Sequence, residues 1–101
     1  MPDLGEVYLV LYPFDDADRE KLRPGIILDT RGDASIVIKV TSHVQRAGSK
    51  DVVLEYWQEA GLRQPSVARC SQYVPLDRNK IKGRLGKLHD ADLARVLSQI
   101  V

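Results

Sequence analysis

The stretch Pro24–Val40 decides the fold: PGIILD (Pro24–Asp29), TRGD (Thr30–Asp33) and ASIVIKV (Ala34–Val40). Its outer pieces are apolar and rich in β-branched residues, which suit a pleated, half-buried surface. Its middle piece gathers turn formers. Two such runs across such a turn predict a β-hairpin.

Before the hairpin, EVYLVLYP (Glu6–Pro13) is a continuous apolar run and reads as a largely buried first strand. PFDDADREKL (Pro13–Leu22) is highly charged and reads as a loop. After the hairpin comes a polar loop, Thr41–Lys50, then a short strand at Asp51–Leu54. Tyr56–Leu62 reads as one helical turn closed by Gly61 as its C-cap. Ser66–Val74 reads as a strand, Pro75–Asn79 as a turn and Ile81–Leu88 as a last short strand. At the C-terminal end Leu93, Val96, Leu97 and Ile100 recur at helical spacing, with Asp92, Arg95, Ser98 and Gln99 on the opposite face. Asp90 and Asp92 suit the helix start, where free N–H groups and the dipole favour anions. The sum is a mainly β chain with a C-terminal helix, α+β, built as a small and strongly bent antiparallel sheet or barrel.

A chain of 101 residues fits one domain, read here over residues 1–101, and buries a core without staples. Cys70 is the only cysteine, so no internal disulfide forms, which fits a reducing cytosol. The sequence shows neither a signal-peptide pattern nor an apolar run of membrane-spanning length, so the expected location is the cytoplasm and no membrane is involved. Net charge is +1 but unevenly spread. Residues 1–60 carry seven Lys/Arg against eleven Asp/Glu, and residues 61–101 carry eight against three. The densest cations are Arg78, Lys80, Lys82, Arg84 and Lys87. Such a cluster holds a polyanion or an acidic peptide, or is simply a solvated face.

Common catalytic motifs are absent. No phosphate-binding glycine loop occurs, and two histidines with one cysteine do not build a usual zinc site. Asp16, Asp18 and Glu20 have the opening spacing of a calcium loop, but Lys21 stands where its glycine belongs and Ile27 where its glutamate belongs. No cofactor is expected. Arg31-Gly32-Asp33 is explained by the hairpin turn, and neither Ser42 nor Ser66 sits in a nucleophile elbow. What remains is Arg23 before Pro24 and the hydroxyl pair Thr41-Ser42 after Val40. Both lie at strand ends, where sites are often built.

Several segments together resemble the MazF/PemK-like toxins of bacterial toxin–antitoxin systems. Gly5-Glu6-Val7 through Pro13-Phe14 is similar to the family's opening strand and loop, and Leu22–Leu28 (LRPGIIL) to its "RRPALVL" segment. Val40-Thr41-Ser42 resembles "ITS", Ala60-Gly61-Leu62 through Pro65–Arg69 resembles "AGL…PSVVR", Leu76-Asp77-Arg78 resembles "LDR", and Leu85–Leu88 resembles "LGRL". The resemblance covers nearly the whole chain in order. It implies an SH3-like small barrel, a homodimer, sequence-specific cleavage of single-stranded RNA and a small acidic antitoxin as partner. It also implies that Arg23 and Thr41 are catalytic. One position departs: the PemK-type R-C-D-Q segment is Arg69-Cys70-Ser71-Gln72 here, so serine replaces the aspartate of the proposed acid–base pair.

The implied reaction is attack of a ribose 2′-OH on the adjacent phosphate, which needs no metal and separates RNA from DNA. A two-pronged Arg23 and a Thr41 donor, with Ser42 beside it, would stabilise the charge gathered on the phosphoryl oxygens. Preorganised donors of this kind each lower a barrier by roughly 3–4 kcal/mol. Glu20 and His43 are the candidate bases. His43, Arg69, Ser71, Gln72 and Tyr73, with Arg78 and Lys80, are the candidate RNA-binding residues, Tyr73 by stacking; Trp57 reads as core. A second reading is a weak or inactive relative that binds RNA or a protein target such as a topoisomerase. A third is a plain protein-interaction module.

Overall fold

The Pro24–Val40 hairpin forms with longer strands than its apolar runs. β2 spans Glu20–Arg31 and β3 spans Ala34–Thr41, joined by Gly32-Asp33 with Gly32 at φ 60°. A positive φ at the first residue of a two-residue loop matches the right-handed twist of the flanking strands. The structure, a computed structural model, describes residues 2–13, 20–42, 48 and 50–100, apart from the side chains of Pro13 and Glu20.

β1 (Glu6–Pro13) pairs with the other edge of β2, β5 (Val67–Asp77) with β3, β4 (Asp51–Val53) with β5, and β6 (Ile81–Lys87) with β1. The result is one six-stranded antiparallel sheet in the order β4-β5-β3-β2-β1-β6. It bends at register breaks. The largest lies in β5, where Ile38 faces Tyr73 but Lys39 faces Arg69, so Cys70-Ser71-Gln72 are extruded from the ladder.

The central strands are buried on both faces. Val7, Ile26, Ile38 and Val40 belong to the larger core, which α1 (Asp90–Ile100) and the 54–62 segment cover. Val10, Ile27, Val37 and Leu76 pack with Tyr12 on the other face. Neighbours such as Ile26 and Ile27 point to opposite faces and both are fully buried, which explains the unbroken apolar runs.

Three local expectations are corrected. Glu20–Leu22 is strand rather than loop, because β1 extends to Pro13 and pairs these charged residues in register (Tyr12 with Lys21, Leu11 with Leu22). Residues 14–19 of that loop lie outside the described residues. Pro75–Asp77 continues β5 instead of turning. β4 covers only Val67–Arg69, so Pro75 sits on an open edge where its missing N–H costs nothing. The turn is the single 3-10 turn Arg78–Lys80 that follows. Asp92, expected on the polar face of the helix, is fully buried. Its carboxylate accepts the backbone N–H groups of Glu55 (3.1 Å) and Tyr56 (2.9 Å) and the Arg95 guanidinium. His89 starts the helix: its Nδ1 accepts the Ala91 N–H at 3.0 Å, and its ring stacks on Tyr56 at 3.9 Å between centroids.

The expected turn at Tyr56–Leu62 does close on Gly61, at φ 82°. Gly61 N–H donates to the Gln58 carbonyl and Leu62 N–H to that of Trp57, the paired hydrogen bonds of a Schellman motif. Trp57 packs against the larger core, as expected.

Candidate nucleic-acid cleft

β3 ends at Thr41 beside Arg23, which lies inside β2 rather than at the expected strand end, and a cleft opens there. The register that pairs Gly25 with Lys39 sets Arg23 across from Thr41 when carried two residues further. Arg23 also faces Val10 of β1, and Thr41 faces Val67 of β5, so ladder bonding on their outer sides fixes both backbones. Arg23 is exposed and Thr41 half-buried. They share a cavity of about 590 Å³ with Ser42.

Gly61–Gln64 and Ser66 also line the cavity, and Leu9, Leu22 and Leu85 supply apolar surface. Gly61 must be glycine for a second reason besides its φ. A Cβ there would lie 2.0 Å from the Leu85 carbonyl oxygen, and one on Gly86 would lie 2.6 Å from the Ala60 carbonyl. Two backbones therefore touch directly, which seats the 54–62 segment against β6. The far end of that segment is held by Asp92.

Arg23, Thr41 and Ser42, three candidate residues from two separate parts of the sequence, thus meet in one cleft. The other described candidates are not among its lining residues. Glu20 opens β2 opposite Pro13; its side chain lies outside the described structure, as does the whole of His43. Arg69 is half-buried in an ion pair with the nearly buried Asp51, at 3.2 Å. Ser71 and Gln72 are exposed in the β5 bulge, and the Gln72 carbonyl accepts the Tyr12 hydroxyl at 2.7 Å. Tyr73 follows them, 52% exposed. Arg78 and Lys80 sit beyond Asp77, which pairs with Ala34 at the opposite end of β3 from Thr41. Seven residues of strand span about 23 Å. The basic cluster is also partly neutralised: Arg78 lies 3.7 Å from Asp33, and Arg84 bonds Glu6 at 2.5 Å.

Arg63 and Gln64 were missed in the sequence. Their signal was indirect: they follow the C-capping Gly61 and precede Pro65-Ser66 inside a family-like segment. Among the described lining residues none is a carboxylic acid or a histidine. The buried Cys70 thiol is pushed up in pKa by its apolar surroundings and then by the Asp51 charge, so it stays protonated and unreactive. No group of three His, Cys, Asp or Glu among the described residues is placed to hold a metal ion. No described helix is long and apolar enough to cross a membrane.

Residues 3–101 match the family model of the PemK-like, MazF-like toxins of type II toxin–antitoxin systems. The chain belongs to this family. Its β-rich fold is also that of solved relatives. The PemK-like chain is 23% identical to MazF from Deinococcus radiodurans (TM-score 0.76, covering 98% of this chain and 92% of that one). It is 21% identical to Mycobacterium tuberculosis toxin MazF-mt6 (TM-score 0.75, covering 94% and 91%). A mycobacterial endoribonuclease solved in complex with its cognate antitoxin matches at 13% identity (TM-score 0.76, covering 99% and 91%). No curated protein sequence gives a match. In this PemK-like toxin three of the segments that carried the resemblance, LRPGIIL, VTS and AGL…PSVAR, supply most of the described cleft lining.

Proposed function

We propose that this toxin is a metal-independent endoribonuclease that cuts single-stranded RNA at short sequence motifs. The observation that carries the reading is the convergence of Arg23 from β2 with Thr41 and Ser42 from the end of β3 in one cleft. In the reaction a ribose 2′-OH loses its proton to a base and attacks the adjacent phosphorus. The bond to the 5′ oxygen breaks, that oxygen takes up a proton, and a 2′,3′-cyclic phosphate remains. Arg23 binds two phosphoryl oxygens as charge accumulates on them, and the Thr41 and Ser42 hydroxyls donate to the same group. The guanidinium stays protonated throughout, so Arg23 acts as an electrostatic stabiliser. Glu20, three residues before Arg23, is the proposed base, with His43, next in the chain to Ser42, as the second candidate. The exposed Tyr73 and its bulge neighbours Ser71 and Gln72 extend the RNA path, and Arg69, Arg78 and Lys80 contribute positive field.

The toxin acts in the cytoplasm, as a homodimer held in check by a small acidic antitoxin. Family membership supports this, as does the antitoxin complex of the mycobacterial relative.

The test is cleavage of a long, weakly structured RNA in EDTA by wild type, Arg23→Ala and Thr41→Ala. Cutting at a recurring motif, cyclic phosphate ends and much slower variants uphold the reading. A folded, clean wild type that leaves the RNA intact overturns it. That result would favour an inactive relative that binds RNA or a protein, a reading supported by Ser71, which stands where the PemK-type segment has its aspartate.

A further inference from the structure

The Arg63–Gln64 tip is built more firmly than an exposed connection requires. On one side the Schellman motif at Gly61 fixes the chain, and Leu62 is buried in the larger core. On the other, the buried Ser66 hydroxyl donates to the Gln64 carbonyl at 2.8 Å, and the Ser66 carbonyl accepts the Leu54 N–H at 3.0 Å. The backbone of the tip is thus held at both ends. Its two side chains are not: Arg63 and Gln64 are exposed, line the cleft, and have no hydrogen-bond or ionic partner among the described residues.

The chemistry of the two differs in a useful way. Gln64 is the only carboxamide among the described cleft residues. A carboxamide sets a donor and an acceptor side by side in one plane, which is the pattern of a base edge. Single-stranded RNA presents those edges unpaired. Arg63 instead carries a charge suited to phosphate, a contact that positions a strand without reading it. The remaining described lining residues offer aliphatic side chains, hydroxyls and Arg23, none of which pairs a donor with an acceptor in this way.

We infer that the Arg63–Gln64 tip sets the sequence preference of the cleft, with Gln64 reading one base edge next to the cut and Arg63 holding a neighbouring phosphate. This rests on the ribonuclease reading above and names the group that selects the substrate.

The experiment is digestion of a randomised single-stranded RNA pool in EDTA, with sequencing of the cut ends. It compares wild type, Gln64→Ala, Gln64→Glu and Arg63→Ala, with thermal melts to establish folding. Gln64→Ala is expected to lower cutting at the wild-type motif by roughly 10- to 100-fold, the discrimination of one good two-point base contact, and to level the preference at a single motif position. Gln64→Glu removes the donor and keeps the shape, so the preference at that position should move to bases that present an amino group. Arg63→Ala should weaken all sequences alike and reduce the salt slope of binding by about 0.7. If the wild type cuts and the Gln64→Ala motif superimposes on its own, the inference falls while the ribonuclease reading stands. If a folded wild type does not cut, both fall.

Discussion

The buried Asp92 carboxylate accepts the Tyr56 backbone N–H at 2.9 Å, so a residue of the C-terminal helix caps a turn 36 positions earlier in the chain. Replacing Asp92 with alanine orphans that N–H, the neighbouring N–H of Glu55 and part of the Arg95 guanidinium. Asp92→Ala should destabilise the protein by about 2–4 kcal/mol. Asp92→Asn keeps one acceptor and should lose about half as much. Urea unfolding of both variants measures the difference. Equal stability to wild type would mean the capping contributes nothing.

At the other end of the same segment, Gly61→Ala should cost at least about 2 kcal/mol, since the new Cβ meets the Leu85 carbonyl oxygen and the residue sits at positive φ. Gly83→Ala is the control. Its Cβ enters open space, and its effect should stay within about 0.5 kcal/mol. Thermal melts of the two variants separate packing from a general effect of losing a glycine.

Glu6 titrates below its ordinary value of 4.5, chiefly because the Arg84 side chain bonds its carboxylate. A depressed folded pKa means the contact stabilises fully above about 4.5 and is lost as pH falls through the lower folded value. Arg84→Ala should therefore weaken the protein at pH 7, by under about 1 kcal/mol given the half-exposed guanidinium. The gap should close in strong acid. A gap that is constant from pH 7 to pH 2 would exclude the ion pair as its source.

Arg23→Lys retains the charge but not the planar fork that meets two phosphoryl oxygens. RNA cleavage should drop about 100-fold with stability unchanged within about 0.5 kcal/mol. Single-turnover rates at saturating RNA test this directly. A lysine variant as fast as wild type would reduce Arg23 to a simple point charge.

If His43 takes the 2′-OH proton, cleavage should decline below about pH 6.5, the ordinary titration point of imidazole. His43→Gln should be slow and lose that acid limb. A variant with an unchanged pH–rate profile would pass the role to Glu20 or another group.

The sheet was legible because its strands carry long β-branched runs, and Arg23 and Thr41 because they end those runs beside a proline and a serine. The charged start of β2 was not, since Glu20–Leu22 pairs only because β1 offers them a ladder. Asp92 was misread for a similar reason. Helical periodicity places a polar residue on the outer face unless a partner from a distant segment waits for it, and two unpaired N–H groups at Glu55 and Tyr56 do. Arg63 and Gln64 follow no periodic pattern, and only the folded position of Gly61 brings them to the cleft.

The segment from Leu54 to Leu62 is pinned by Asp92 at its start and by the Gly61–Leu85 backbone contact at its end. The terminal helix is therefore a buttress for that part of the cleft lining. Shearing it away would leave every polar group of the cleft in the chain and yet unseat the Gly61–Gln64 lining that shares the cavity with Arg23 and Thr41.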